Sequence, residues 1–149
     1  MCSYCGCESI DVIGRFMREH VDIVNAAGDL RRACEEGDRA LSRGSADSLA
    51  ALLHPHTRAE EVGLFTVLAE DCEFTDHVHR LCDEHVALDE MLERLADGEH
   101  SLFPAFERAL RDHIDREENG LFPAAAIAFA GPEWGRVTVL TPEPPPVRA

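Results

Sequence analysis

One string of residues occurs twice in this chain. His56-Thr57-Arg58-Ala59-Glu60-Glu61-Val62-Gly63-Leu64-Phe65 is echoed by His113-Ile114-Asp115-Arg116-Glu117-Glu118-Asn119-Gly120-Leu121-Phe122, with His, Glu, Glu, Gly, Leu and Phe at the same offsets. On a helix, a His and a Glu four residues apart lie on one face, one turn apart. Each copy then presents an imidazole nitrogen and a carboxylate to one interior point. Two copies suggest two such points, and a pair of metal ions is the simplest thing to place there.

The 149 residues make one domain with room for a real core. Ala, Leu, Glu and Arg dominate, and there is one Tyr and one Trp. That composition favours an all-α protein. Helical spacing of apolar residues predicts helices over about 9–36, 45–69, 73–96 and 104–130. Gly37 ends the first, Arg43-Gly44-Ser45 reads as a loop, and Asp97-Gly98 ends the third. Pro55 is expected to kink or restart the second helix and Pro123 to kink or break the last turns of the fourth. Short connections between long amphipathic helices give an antiparallel up-down-up-down four-helix bundle. The chain divides into a cysteine-rich segment (1–8), the bundle (9–130) and a Pro-rich tail (131–149). The tail is expected to be extended or disordered unless it packs on the bundle.

The formal charge is −15. Such a surface repels phosphate backbones and anionic lipid, which argues against nucleic-acid or membrane partners. No basic region followed by an apolar run opens the chain, so a cytoplasmic location is expected, with its six cysteines reduced, metal-bound or redox-active.

His20 falls on the apolar stripe of the first helix and His85 on that of the third. With His56 and His113, each helix carries one inward histidine. A lone HxxxE means little in a chain with 29 acidic residues; the coincidence of four such histidines, two heading matching strings, carries the reading. Imidazole with carboxylate suits iron, manganese or zinc. Glu60 and Glu117 can each bridge two ions, with His20, His56, His85 and His113 as terminal ligands. Leu64, Leu121, Phe16 and Leu88 would keep the pocket dry.

These residues resemble the hemerythrin-like family, also called the HHE cation-binding family. Its pattern is a His on helix one, HxxxE on helix two, a His on helix three and HxxxE or HxxxxD on helix four. The run Glu117-Glu118-Asn119-Gly120-Leu121-Phe122-Pro123 looks very like its last motif. The resemblance covers about 9–130. It implies a non-haem di-iron centre, oxo- or hydroxo-bridged, with zinc or manganese as substitutes. The oxygen carriers of that family have HxxxH on helix three, where this chain has Leu81 one turn before His85. His77 is two turns away, about 12 Å along the axis, and His79 points to the opposite face. Two His per iron leave open positions on both. Reaction with hydrogen peroxide, nitric oxide or dioxygen is expected, using an electron donor the sequence does not name. The alternatives are sensing or storage of oxygen, nitric oxide or iron, and repair of iron–sulfur centres.

Other residues carry weaker signals. His54 is two residues from His56, and only one of them can face inward. Glu61 and Glu118 are expected to face solvent or to lie just outside the ligands, with ligation by Glu61 as an alternative. The repeated Gly63 and Gly120 suggest close helix approach near the metals, and His100 is expected to be solvated in a loop. Cys2, Cys5 and Cys7 are candidates for a zinc or iron–sulfur site or a redox thiol cluster. Cys34, Cys72 and Cys82 are candidates for its fourth ligand. Tyr4, the single tyrosine, is a candidate neighbour of the bundle mouth.

Overall fold

A computed structural model describes residues 10–147. Cys2, Cys5, Cys7 and Tyr4 lie outside the described residues, so the readings placed on them stay with the sequence. All regular elements among the described residues are helical.

Helix α1 (Asp11–Glu36) carries the stripe Ile13, Phe16, His20, Ile23, Ala27 and Leu30, all buried. It stops at Gly37, whose φ of 71° is the left-handed conformation that glycine adopts without steric cost. Helix α2 (Arg39–Glu60) starts earlier than the sequence predicts. The Asp38 carboxylate accepts hydrogen bonds from the backbone N–H groups of Ala40 and Leu41, at 2.9 and 3.0 Å. A cap of this kind is worth about 1 kcal/mol, comparable to the roughly 1 kcal/mol that Gly44 costs inside a helix. Burial of Ser42 and Ala46 on either side then carries the helix through Arg43-Gly44-Ser45. Pro55 does not break α2 either; buried Leu53, His56 and Ala59 hold both sides of it in one run.

A π-helical turn (Glu61–Phe65) follows directly and leads into α3 (Thr66–Leu68). After a turn come α4 (Thr75–Ala96), a 3-10 turn (His100–Leu102) and α5 (Phe103–Arg116). A second π-helical turn (Glu117–Leu121) joins α5 to α6 (Phe122–Ala128). The irregularity expected at Pro123 therefore falls just before it. Pro123 itself sits in the first turn of α6, where a missing N–H is tolerated.

The Pro-rich tail is not simply extended. Residues 131–140 form α7 (Gly131–Leu140), which packs on the first π turn and on α3. Val137 is fully buried there, and Trp134 meets Phe129 edge-on at 5.1 Å. Arg136 grips both carboxylate oxygens of Glu70, one of them at 2.8 Å. Burial of one large side chain contributes about 1.5–3 kcal/mol, and the Trp134–Phe129 and Arg136–Glu70 contacts add to it; the prolines of the segment lie mostly beyond α7.

Helix α1 packs on α2 and α5, and α4 also packs on α2 and α5. The core has two parts. One joins Ile13, Phe16, Leu64, Leu81, Leu121 and Val137, among others. The other joins Ile23, Leu30, Leu49, Leu92, Phe106 and Leu110, among others. His20, His56, His85 and His113 lie along their helices between these two regions. No helix among the described residues is long and apolar enough to cross a membrane.

Candidate metal centre

Six buried polar side chains meet between the two core regions: His20, His56, Glu60, His85, His113 and Glu117. Each imidazole turns Nε2 toward the two carboxylates. His56 Nε2 is 3.1 Å from Glu60 Oε1, and His85 Nε2 is 3.2 Å from Glu60 Oε2. His113 Nε2 is 3.1 Å from Glu117 Oε1, and His20 Nε2 is 3.2 Å from that same oxygen. The groups form two overlapping sets with metal-ligand spacing. One is His20, His56, Glu60 and Glu117; the other is Glu60, His85, His113 and Glu117. Both glutamates belong to both sets.

The outer ring nitrogens face a second circle of carboxylates. His56 Nδ1 meets Glu19 at 3.0 Å, His85 Nδ1 meets Glu61 at 2.9 Å, and His113 Nδ1 meets Glu84 at 2.7 Å. His20 Nδ1 is 3.7 Å from Glu118, beyond hydrogen-bond range. Arg15 Nε donates to Glu19 at 3.0 Å, and Arg80 and Arg116 flank Glu84 at 3.3 and 2.7 Å. Glu61 and Glu118 thus lie just outside the inner six. Glu19 and Glu84 are the residues that sequence reasoning missed. Their signal is a second echo, Arg15-x-x-x-Glu19-His20-Val21 against Arg80-x-x-x-Glu84-His85-Val86.

Charge dominates the protonation of this cluster. Burial lowers the imidazole pKa values, but the surrounding carboxylates overcome it. His56 is raised to about 9 and His85 to about 10, His113 is raised, and His20 is raised well above its ordinary value. Burial opposes the charged His20 ring, and Glu117, Glu118 and Glu60 together outweigh it. Burial likewise disfavours the Glu60 carboxylate, and the positive imidazoles of His56, His20 and His85 reverse that, holding it well below the ordinary range. Burial, aided by Glu61, pushes the Cys82 thiol up to about 11. It is therefore a neutral thiol at pH 7, and no cysteine joins either metal-spaced set among the described residues.

The π turns decide what covers the rings. A π turn adds a residue to the helical repeat, so the side chain five places beyond the glutamate, not four, returns to its face. Phe65 stacks on His85 (5.8 Å between centroids, 11° between planes), and Phe122 on His20 (6.0 Å, 8°). Leu64 and Leu121, expected to keep the pocket dry, are fully buried in the same core region as Phe65 and Phe122. Phe16 meets His56 edge-on as predicted for a drying residue, and Leu88 is buried in the other core region.

The buried oxygens of Glu60 and Glu117, with Nε2 of His56 and both ring nitrogens of His20, have no hydrogen-bond partner among the described residues. Buried polar atoms left unpaired at one point are costly. A cation shared by the two carboxylates would satisfy them, so the donor set fits a metal centre. The family model for the hemerythrin HHE cation binding domain matches residues 11–125. This chain belongs to the hemerythrin HHE cation-binding family. Comparison with curated proteins and with solved structures returns no significant match.

The remaining candidates of this hemerythrin-family chain fall outside the centre. His54 pairs with Asp89 at the surface. His79 is exposed, and His77 is half-buried beside Gly120. His100 is not in open solvent: its Nε2 lies 2.9 Å from the hydroxyl of buried Ser42. Gly63 does meet a close approach, from the tail rather than a bundle helix. A Cβ there would come within 3.2 and 3.3 Å of Cβ and Cα of Thr141. Gly120 has no such neighbour; an added Cβ would make an ordinary 3.8 Å contact with His77.

Proposed function

We propose that this chain is an antiparallel up-down-up-down four-helix bundle holding a non-haem di-iron centre that reacts with hydrogen peroxide, nitric oxide or dioxygen. The order of the core segments supports that topology. Along α1 and α4 the first core region precedes the histidine and the second follows it; along α2, and along α5 continued into the second π turn and α6, the order reverses.

The observation that carries the reading is the sharing of Glu60 and Glu117 by both histidine pairs, with all four carboxylate oxygens buried and unpartnered. In this reading His20 and His56 serve one metal ion, His85 and His113 the other, and the two glutamates bridge. Iron held by these residues would supply one-electron redox chemistry. The chain supplies charge compensation through the two inner carboxylates, imidazole orientation through the outer ones, and exclusion of water through Phe16, Phe65 and Phe122. Two imidazoles per metal ion leave donor positions for a small ligand, which favours peroxide or nitric oxide chemistry over reversible oxygen carriage.

Metal analysis and the optical spectrum of the isolated protein test this. Two irons per chain with near-ultraviolet charge-transfer bands, and peroxide consumption that disappears in His113→Ala, are expected. A stable oxygen adduct without turnover would replace the enzymatic reading with a binding one.

A further inference from the structure

The two halves of the centre match in their inner groups and differ outside them. His85 and His113 each form a hydrogen bond from Nδ1 to a carboxylate, Glu61 at 2.9 Å and Glu84 at 2.7 Å. Glu84 also forms ion pairs with Arg116 at 2.7 Å and Arg80 at 3.3 Å. On the other side only His56 is held in this way, by Glu19 at 3.0 Å. His20 stacks on Phe122, but its Nδ1 is 3.7 Å from Glu118 and, among the described residues, neither of its ring nitrogens has a hydrogen-bond partner.

A carboxylate on Nδ1 fixes the tautomer that leaves Nε2 free to bind, sets the ring plane and makes Nε2 more basic. A ring without that partner must be fixed when metal binds, and it is the weaker donor. We propose that the two metal positions are unequal: the His85–His113 position fills first and empties last, while the His20–His56 position is labile. Glu84 and Glu61 are its positioning residues. The inference rests on the two-metal reading above and adds an order of occupancy to it. It gives the centre one permanent ion and one exchangeable ion, so metal exchange and ligand entry are expected at the His20 side.

Release of zinc(II) from the full chain into excess chelator, followed by the absorbance of the chelator complex, tests this without relying on activity. Two equivalents should leave in two equal phases, separated by about tenfold or more in rate, the size of effect expected from outer-carboxylate contacts. Glu84→Gln should accelerate the slow phase by about tenfold or more. Glu118→Gln, which removes a charge 3.7 Å from His20 but no hydrogen bond, should change the fast phase by clearly less than Glu84→Gln changes the slow one. His20→Ala should leave one slow equivalent and His113→Ala one fast equivalent, which assigns the phases even if Glu84→Gln folds poorly. Circular dichroism of the metal-free variants checks their folding. Two equivalents leaving in a single phase would overturn the inference and leave the two-metal reading intact. So would Glu118→Gln acting as strongly as Glu84→Gln. A chain that takes up no zinc and no iron would overturn both.

Discussion

The phenyl ring of Phe65 lies almost parallel to the imidazole of His85, 11° between planes, although the two sit on different helices. Phe122 stands in the same relation to His20. The duplicated string is thus used crosswise. The end of the first copy covers the histidine of α4, and the end of the second covers that of α1. Glu61 and Glu118 cross over in the same way, although only Glu61 reaches hydrogen-bond distance. Each half is completed by the other.

Phe65→Ala should therefore act on both the fold and the centre. Removing a fully buried phenyl from the core costs about 3–5 kcal/mol. Chemical denaturation should show that loss in the metal-free protein. The variant should also release metal faster from the His85 side, because water then reaches that imidazole.

The two repeated glycines should respond in opposite directions. Gly63→Ala forces Thr141 to move and should destabilise by about 1–3 kcal/mol. Thr141→Gly in the same chain should recover much of that loss. Gly120→Ala meets only ordinary contact and has no positive φ to satisfy, so it should stabilise by up to about 1 kcal/mol. Paired thermal melts of the metal-free variants check the contrast.

Stability of the metal-free protein should fall at alkaline pH. Folding raises the pKa values of His56 and His85 from 6.5 to about 9 and about 10. Groups raised on folding stabilise fully below 6.5, and their contribution is lost as pH climbs through the folded values. Glu60 is lowered, so its contribution is present above 4.5 and lost only as pH falls through its folded value. The metal-free optimum should lie between about 4.5 and 6.5. The loaded protein should behave oppositely over the neutral range, since metal must displace imidazole protons. Urea midpoints with and without metal across that range test the inversion.

Glu60→Ala should disturb both metal positions, whereas His56→Ala should disturb one, because Glu60 belongs to both metal-spaced sets and His56 to a single one. Metal analysis after desalting should find the larger loss in Glu60→Ala. Equal losses in the two variants would count against shared bridging.

A good part of this was legible along the chain. The apolar stripe of α1, its stop at Gly37 and the four inward histidines follow from helical periodicity and from glycine's freedom at positive φ, both local properties. The start of α2 is not legible there, because Arg43-Gly44-Ser45 has a loop-like composition and the cap at Asp38 precedes it. Glu19 and Glu84 were legible in principle, in the second echo around His20 and His85.

What the amino-acid order determined by itself was therefore which residues face inward, since a helix fixes the spacing of its own side chains. Only the tertiary structure decided which outer carboxylate each imidazole meets. It also decided that Phe65 and Phe122 cover the opposite halves, that α7 folds against Gly63, and that Nδ1 of His20 meets no carboxylate at hydrogen-bond distance among the described residues. Those outcomes depend on distances between helices far apart in the chain, and on two π turns that shift the register by one residue, which no local pattern specifies.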